Sequence, residues 1–271
     1  MHNIQEHIAQ EAIGIFDSGI GGLTVAAAIQ KMLPNENIIY VGDTLHMPYG
    51  SKKPEEILNY TDKIVSFLIQ KKVKLIVIAC NTASAIAASE LRRKYWKQVE
   101  IIGVIRPVLQ HIQAMSIKSL GIIGTQATID SHVYIDIAKE MNIACSISQI
   151  ATPQLASLIE ENKMALDSSK SLLTEYLSHA ALKDKEALLL ACTHYPLIKK
   201  QIDSYYDGKK IILDNAGPIA QKVRDYLSEN HLLNLEPNPQ HEFYVSKLND
   251  YFKQIISLFY EQELLIKEIE L

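Results

Sequence analysis

The chain has 271 residues, of which 48% are hydrophobic and 21% are charged, so it can bury a substantial core and should be ordered. The formal net charge of −4 and the absence of a basic stripe in the sequence argue against nucleic-acid binding. The sequence has no apolar run of the roughly 18 residues that a membrane span needs, and its first residues lack the basic and apolar regions of a secretory signal.

The first half of the chain alternates between short apolar runs and helix-like segments. Ile13–Phe16 is predicted to be a buried strand, and the glycine-rich turn DSGIGG that follows it leads into a helix over Leu23–Met32. A second strand is predicted over Ile38–Val41. The next helix begins at Pro54 and extends to about Lys72, since proline and acidic residues suit a first helical turn. This alternation is typical of an α/β fold with parallel strands.

Two cysteines occupy equivalent places in this pattern. A wholly apolar run ends at Cys80, and polar residues and an alanine-rich helical segment follow, so Cys80 should lie at the carboxyl end of a buried strand. Ligands bind at this position in open α/β sheets. The run ALLLA ends in the same way at Cys192, and a helix-like stretch with Pro196 in its first turn comes next. Two thiols placed alike in two halves of a chain indicate two bases that face one substrate.

The third cysteine, Cys145, lacks such flanks and is interpreted as a core or surface thiol. The three cysteines form no CxxC pair and show no zinc-ligand spacing, which predicts reduced thiols in the cytoplasm and no metal site. The chain also lacks the GxGxxG and Walker lysine patterns of nucleotide-binding loops.

The strand–turn–helix pattern restarts at Leu120, which indicates two similar lobes, although any α/β protein repeats such units. Before this restart, a strand is predicted over Ile101–Ile105 and ends near Pro107. After it, helices are predicted over residues 153–163 and 168–182.

The last part of the chain adds a strand over Ile211–Leu213, a helix that ends near Leu227, a strand over Glu242–Val245 and a helix from about Leu248. No low-complexity linker divides the chain, so the final segment either returns to the first lobe or forms a third module. The predicted fold class is α/β, with two similar lobes that each hold a mainly parallel sheet flanked by helices.

Six motifs of the chain resemble, in order and spacing, those of the glutamate racemases in the cofactor-independent aspartate/glutamate racemase superfamily. They read IGIFDSGIGGLTV, YVGDTLHMPYGSK, IVIACNTASA, GVIRP, GIIGTQATI and LLLACTHYPLI, and the resemblance covers roughly residues 13–260. It implies a first lobe built from residues 1–103 and 213–271, a second lobe built from residues 104–212, and an active site in the cleft between them. Within this resemblance, His194 favours glutamate over aspartate as the substrate, because aspartate racemases usually carry an acidic residue at that position.

Racemisation of an amino acid removes the Cα proton from one face and returns a proton to the other, so two opposed bases suffice. Cys80 and Cys192 fit this role, because a thiol has a pKa of ~8.5 that a helix N-terminus lowers. The alternative is a pair of buried cysteines that act only as small hydrophobic residues. Their polar neighbours, such as Asn81 and His194, disfavour that alternative.

The other predicted site residues are hydrogen-bond donors at loop and helix-start positions and residues that match the family's substrate contacts. The resemblance implies these substrate-binding residues: Asp17, Ser18, Tyr49, Gly50, Asn81, Thr82, Thr125, Thr128, Thr193 and His194. Asp17 follows a strand end and could orient or take up a proton near Cys80, and Glu160 matches the family's acidic partner of His194. No pyridoxal site or metal site is evident, so no cofactor is expected.

The implied activity is the interconversion of L- and D-glutamate by a cytoplasmic isomerase, which supplies D-glutamate for peptidoglycan. Glutamate is the expected partner, a homodimer is left open, and neither nucleic acid nor a membrane is expected to bind. Three alternatives stay open. They are racemisation of aspartate or hydantoin, decarboxylation, which needs only one thiol, and amino-acid binding by a two-lobed protein without catalysis.

Overall fold

The apolar runs form two all-parallel sheets in the computed structural model, which describes residues 7–248, Phe252, Ile256 and residues 265–271. The first sheet contains β1 (Ile13–Asp17), β2 (Ile38–Gly42), β3 (Leu75–Ile78), β4 (Glu100–Gly103), β9 (His241–Val245) and β10 (Ile266–Glu268), in the spatial order β10-β9-β2-β1-β3-β4. The second sheet contains β5 (Ser119–Gly124), β6 (Ser146–Ala151), β7 (Ala187–Ala191) and β8 (Ile211–Leu213), in the order β6-β5-β7-β8. The central strands are buried along their whole length, which explains why the sequence reads as continuous apolar runs.

Helices connect most successive strands, as parallel pairing requires. They are α1 (Leu23–Met32), α2 (Pro54–Gln70), α3 (Asn81–Ile86), α4 (Ala88–Tyr95), α5 (Ile105–Ala114), α6 (Gln126–Asp130), α7 (Val133–Glu140), α8 (Leu155–Glu160), α9 (Asp167–Leu177), α10 (Ala180–Lys183), α11 (Lys199–Tyr205) and α12 (Ala216–Glu229). Short 3₁₀ helices lie at Tyr49–Ser51 and Tyr195–Ile198. Among the helices of the described ranges, none combines the length and the hydropathy that a membrane span requires.

The predicted fold class is confirmed: two parallel sheets, each flanked by helices, form two lobes. We call the six-stranded sheet with its helices the first lobe and the four-stranded sheet with its helices the second lobe. β9 pairs with β2 and β10 pairs with β9, so the final segment returns to the first lobe and the third-module alternative is wrong for its described part. The lobe boundaries after residues 103 and 212 stay a prediction.

The strand predicted over Ile101–Ile105 is wrong at its end. β4 stops at Gly103, and α5 begins at Ile105. Pro107 lies in the first turn of α5, where a helix does not need the backbone N–H that proline lacks. The proline therefore marks the start of a helix here and not the end of a strand.

Several predicted helices are shorter or divided. The segment predicted over residues 153–163 is helical only at Leu155–Glu160, and that over 168–182 forms two helices, Asp167–Leu177 and Ala180–Lys183. The alanine-rich segment after Cys80 is also divided in two, at Ala87. The helix predicted from about Leu248 lies largely outside the described residues.

Four elements had no counterpart in the sequence prediction, namely α5, α7, β6 and β10. β6 reads SISQIA and lies at the edge of its sheet. Most of its side chains are only half-buried, so its sequence shows a weak hydrophobic pattern. β10 has three residues and pairs with β9. Such short edge strands depend on a neighbouring strand more than on their own composition.

The two lobes share a hydrophobic core. One buried cluster joins Ile15 and Val77 of the first sheet to Ile122 and Leu189 of the second. α12 follows β8 and packs on α1 of the first lobe and on α5. The lobes are therefore held together by apolar packing, and the carboxyl ends of strands in both sheets border one enclosed region.

Candidate active site

The two predicted catalytic cysteines line the same cavity. Cys80 follows β3 and caps α3, since its sulfur accepts a hydrogen bond from the Ala83 backbone N–H at 3.4 Å. Cys192 follows directly after β7 in the second lobe. The two side chains are only 4% and 5% exposed. Each lobe thus contributes one buried thiol from the end of a strand, as the repeat predicts.

The cavity is small, with a volume of about 10 Å³, and is bordered by both lobes. The predicted residues that line it are Ser18, Tyr49, Gly50, Cys80, Asn81, Thr82, Thr125, Cys192, Thr193 and His194. Pro48 and Ala156 also line it but were absent from the predicted set. Pro48 precedes Tyr49 in a quoted motif and could have been found from it, whereas a small apolar helix residue such as Ala156 leaves no signal.

Three other predicted residues lie behind the lining residues and contact them. Asp17 accepts a hydrogen bond from the Thr193 hydroxyl at 3.0 Å, and the Glu160 carboxylate contacts the His194 imidazole. The Thr128 hydroxyl lies 2.9 Å from that of Thr125. The structure therefore brings all the predicted site residues together, while their roles in binding and catalysis stay predictions.

The environment of Cys80 disfavours the thiolate. Burial and the nearby Asp17 carboxylate raise the pKa of Cys80 to about 12, although the Ala83 N–H and the Ser18 hydroxyl at 3.7 Å oppose the shift. Burial also raises the pKa of Asp17. The expectation that the start of a helix lowers this thiol's pKa is therefore wrong for Cys80, because the loss of solvent outweighs one backbone donor.

Cys192 lies beside a buried imidazole–carboxylate pair. His194 Nδ1 is 3.6 Å from the Cys192 sulfur, and its Nε2 contacts the Glu160 carboxylate. Burial alone would lower the pKa of His194, but Glu160 and Cys192 raise it well above its ordinary value. The surrounding groups therefore favour the protonated form of His194, and a protonated imidazole at this distance stabilises negative charge on a sulfur.

Hydroxyl groups from both lobes meet at another wall of the cavity. The Thr82 hydroxyl lies 2.8 Å from that of Thr125 and 3.2 Å from that of Thr128. Thr82 belongs to α3, whereas Thr125 caps α6 in the second lobe. This cluster supplies donors of the kind that bind carboxylate oxygens.

Asp43 holds the Tyr49–Gly50 segment against the cavity. Its buried carboxylate accepts hydrogen bonds from the Tyr49 hydroxyl and from Ser246, both at 2.7 Å, and His46 Nδ1 lies 2.8 Å away. Because the Tyr49 hydroxyl is engaged there, this segment can offer backbone N–H groups to a ligand but not the phenol.

Tyr134 and Asn215 are site residues that sequence reasoning missed. The Tyr134 hydroxyl donates to Asn81 Oδ1 at 2.5 Å, and Asn215 Nδ2 donates to the same oxygen at 3.0 Å. Both residues are buried but do not line the cavity. Neither lies in one of the six motifs, and only the folded chain brings them to Asn81.

Two glycines allow the lobes to approach closely. A Cβ atom at Gly21 would lie 2.5 Å from Thr193 Oγ1 and 2.8 Å from the His194 backbone nitrogen, and one at Gly50 would lie 2.5 Å from Thr125 Cβ. These distances are shorter than side chains tolerate. The glycine-rich turn after β1 therefore places the first lobe against the Cys192 loop.

Comparison with known proteins agrees with this geometry. The family model described as Asp/Glu/Hydantoin racemase matches residues 22–216. The glutamate racemase of Chlorobaculum parvum is 38% identical over 93% of this chain and 93% of that protein, and the glutamate racemase 3 of Caldanaerobacter subterraneus is 35% identical over 92% and 90%.

Among solved structures, the glutamate racemase of Francisella tularensis in complex with D-glutamate is 33% identical and superposes with a TM-score of 0.88. The alignment covers 97% of this chain and 98% of that one. A glutamate racemase of Bacillus anthracis gives a TM-score of 0.89 at 30% identity, over 96% and 98% of the two chains. The protein therefore belongs to the Asp/Glu/hydantoin racemase family.

Proposed function

We propose that this protein is a glutamate racemase, which interconverts L- and D-glutamate by moving a proton between the two faces of Cα. The observation that carries the proposal is the single buried cavity lined by Cys80 of one lobe and Cys192 of the other. The relatives named above are glutamate racemases, and one solved neighbour holds D-glutamate.

In the proposed reaction one cysteine, as a thiolate, removes the Cα proton of the bound amino acid. The second cysteine, as a thiol, then donates its proton to the opposite face of the planar carbanion, so the two exchange protonation states in each turnover. The His194 cation beside Cys192 and the Asp17 carboxylate near Cys80 differ in charge, so each face of the substrate meets its own acid–base system.

The carbanion also needs stabilisation by fixed dipoles and charges. Donors on the cavity wall, such as Ser18, Asn81 and Thr82, are suited to the substrate's carboxylate oxygens. Exclusion of water strengthens these interactions, because the lining cysteines and hydroxyls are almost fully buried.

Glutamate is favoured over the alternatives by the second lobe. His194 and Glu160 form a buried pair next to Cys192, in the place where an acidic residue is expected in an aspartate racemase. A decarboxylase would need only one thiol, and a binding protein would need none. The retention of both thiols in the cavity therefore supports racemisation.

We further propose that the enzyme works without a cofactor in the cytoplasm and supplies D-glutamate for peptidoglycan. The free state of its three cysteines fits a reducing compartment.

The proposal is tested by circular dichroism of purified protein mixed with D-glutamate or, separately, with D-aspartate, without added cofactor and in the presence of a chelator. We expect the glutamate signal to decay to zero and the aspartate signal to persist. In deuterated water, deuterium should appear at Cα of glutamate. Faster turnover of aspartate, or no exchange with either amino acid, would refute the proposal.

A further inference from the structure

The side-chain amide of Asn81 is held at the cavity by groups from elsewhere in the chain. Asn81 is 1% exposed, opens α3 and lines the cavity. Its Oδ1 atom accepts the hydrogen bonds from Tyr134 and Asn215 described above. Its Nδ2 atom is buried and has no hydrogen-bond partner within the described residues.

The polarity of this network follows from a backbone carbonyl. The terminal atom of Asn215 that contacts Asn81 also lies 3.4 Å from the Leu190 carbonyl oxygen, which can only accept a hydrogen bond. That atom must then be the nitrogen, the atom of Asn81 opposite it must be the oxygen, and the Tyr134 hydroxyl must donate. The Asn81 N–H₂ group then has no partner in this network, and Asn81 is a residue that lines the cavity.

Burial supports the same assignment. Burial raises the pKa of Tyr134 far above its ordinary value, so the hydroxyl keeps the proton that it donates. The opposite orientation of Asn215 would set its amide oxygen against the Leu190 carbonyl oxygen. With the observed orientation, Asn215 Oδ1 and Asn81 Nδ2 are the two amide atoms of this pair that are buried without a partner within the described residues.

We propose that Asn215, together with Tyr134, is a positioning residue that fixes the Asn81 amide with its N–H₂ group toward the cavity, where it donates to a carboxylate of glutamate. The proposal rests on the proposed function for the identity of this ligand. A reversed amide would present an oxygen to the carboxylate and repel it. Because Tyr134 lies on α7 and Leu190 on β7, the second lobe sets the orientation of a donor that belongs to the first lobe.

The first test compares the steady-state kinetics of Asn215→Ala and Tyr134→Phe with those of the unaltered enzyme. Each variant removes one hydrogen bond to Asn81 Oδ1. We expect KM for both glutamate enantiomers to rise about tenfold, with a smaller change in kcat. The reason is that a less firmly held Asn81 amide would lose part of its hydrogen bond to the charged carboxylate of the substrate. A loss of folded protein would instead lower the apparent kcat and leave KM unchanged.

The matched control is Asn230→Ala. Asn230 follows the other end of α12, is exposed, and its side-chain amide donates to the Tyr226 carbonyl at 2.8 Å. The Asn230→Ala substitution should leave KM within about twofold of the KM of the unaltered enzyme.

The second test repeats Asn215→Ala in an Asn81→Ala background. If Asn215 acts through Asn81, the second substitution raises KM no further. An unchanged KM in both single variants, or the same rise in KM with and without Asn81, would overturn the proposal.

A spectroscopic readout separates this proposal from the proposed function. In ¹⁵N-labelled protein, the Asn81 side-chain amide signals are assigned by their loss in Asn81→Asp. They should move in Asn215→Ala and not in Asn230→Ala, whether or not the protein turns over glutamate. If the unaltered protein racemises glutamate but these signals do not move, the positioning role is wrong and the proposed function stands. If the signals move but no glutamate turns over, the proposed function is wrong and the positioning of Asn81 stands.

Discussion

At the scale of single residues, the two thiols occupy unequal environments. Cys80 lies near the Asp17 carboxylate and has a pKa raised to about 12, whereas Cys192 lies 3.6 Å from His194, whose surroundings raise its pKa and favour the cation. The sequence repeat alone would suggest two equivalent bases. The surrounding charges make the two faces of the cavity chemically different.

Substitution of either cysteine should remove one of the two bases. We expect Cys80→Ala and Cys192→Ala each to lower racemisation by at least about 100-fold, the usual contribution of a positioned acid or base. The half-buried Cys145 lies outside the cavity, so Cys145→Ala provides the control. Racemisation is measured by circular dichroism with each enantiomer, and near-normal turnover in either single variant would contradict the two-base mechanism.

Glu160 should control the pH range in which His194 is charged. The folded-state pKa of His194 is raised, so the cation persists to higher pH than in an ordinary histidine and is lost as the pH rises through the folded-state pKa. Glu160→Gln removes one of the two residues that raise the pKa of His194 against the effect of burial, so this pKa should fall. We therefore expect the alkaline limb of kcat/KM to move to lower pH by about one pH unit or more.

The control for this profile is Glu161→Gln. Glu161 is the next residue, is exposed, and pairs with the exposed Lys163. If both variants give the same alkaline limb as the unaltered enzyme, the His194–Glu160 pair does not set the pH dependence.

At the scale of elements, the turn between β1 and α1 depends on close approach. Gly21 has no room for a Cβ, because backbone atoms of Thr193 and His194 lie against it. The turn is therefore a contact between the lobes as well as a connection within one of them. Its glycine content reflects the position of the second lobe more than the conformation of the turn itself.

Gly21→Ala should push the Cys192 loop out of place. We expect kcat/KM to fall at least about tenfold while the far-ultraviolet spectrum is unchanged, since small displacements of catalytic groups are costly. Gly217→Ala is the control, because nothing lies within 4 Å of the added Cβ and alanine favours the helix by up to about 1 kcal/mol. Normal activity in Gly21→Ala would show that the loops do not need this contact.

At the scale of the whole molecule, a buried ion pair joins distant parts of the chain. Lys74 and Glu36 form a salt bridge with side chains 0% and 1% exposed. Lys74 also donates to the carbonyl oxygens of Ala9 and Leu232, and Glu36 accepts from the Asn234 backbone N–H at 2.9 Å. The N-terminal segment and the segment after α12 are thus both tied to the first lobe.

Removal of Lys74 from this ion pair should destabilise the folded protein. We expect Lys74→Met to lower the free energy of unfolding by about 3–5 kcal/mol, because Glu36 would be left as an unpaired buried charge. Lys170→Met is the control, since its pair with Asp167 is exposed and such pairs contribute about 0–1 kcal/mol. Urea unfolding followed by circular dichroism measures both, and equal changes would contradict the structural role of the buried pair.

The sequence by itself determined the alternation of strands and helices and the place of both cysteines. An apolar run that ends at a cysteine and is followed by polar and helix-forming residues places the thiol at the carboxyl end of a strand. This placement does not depend on distant parts of the chain. Because parallel strands align these ends at one edge of a sheet, the local pattern also placed Asn81 and Thr193 at the site. These features depend on near neighbours in the chain.

Only the tertiary structure decided the division of the helix at Ala87, the direction of the Cys80 pKa shift and the contacts of Tyr134 and Asn215 with Asn81. Each depends on groups that are far apart in sequence and meet only when the lobes pack. Solvent exclusion and hydrogen-bond polarity are properties of that packed arrangement, and no short stretch of residues encodes them.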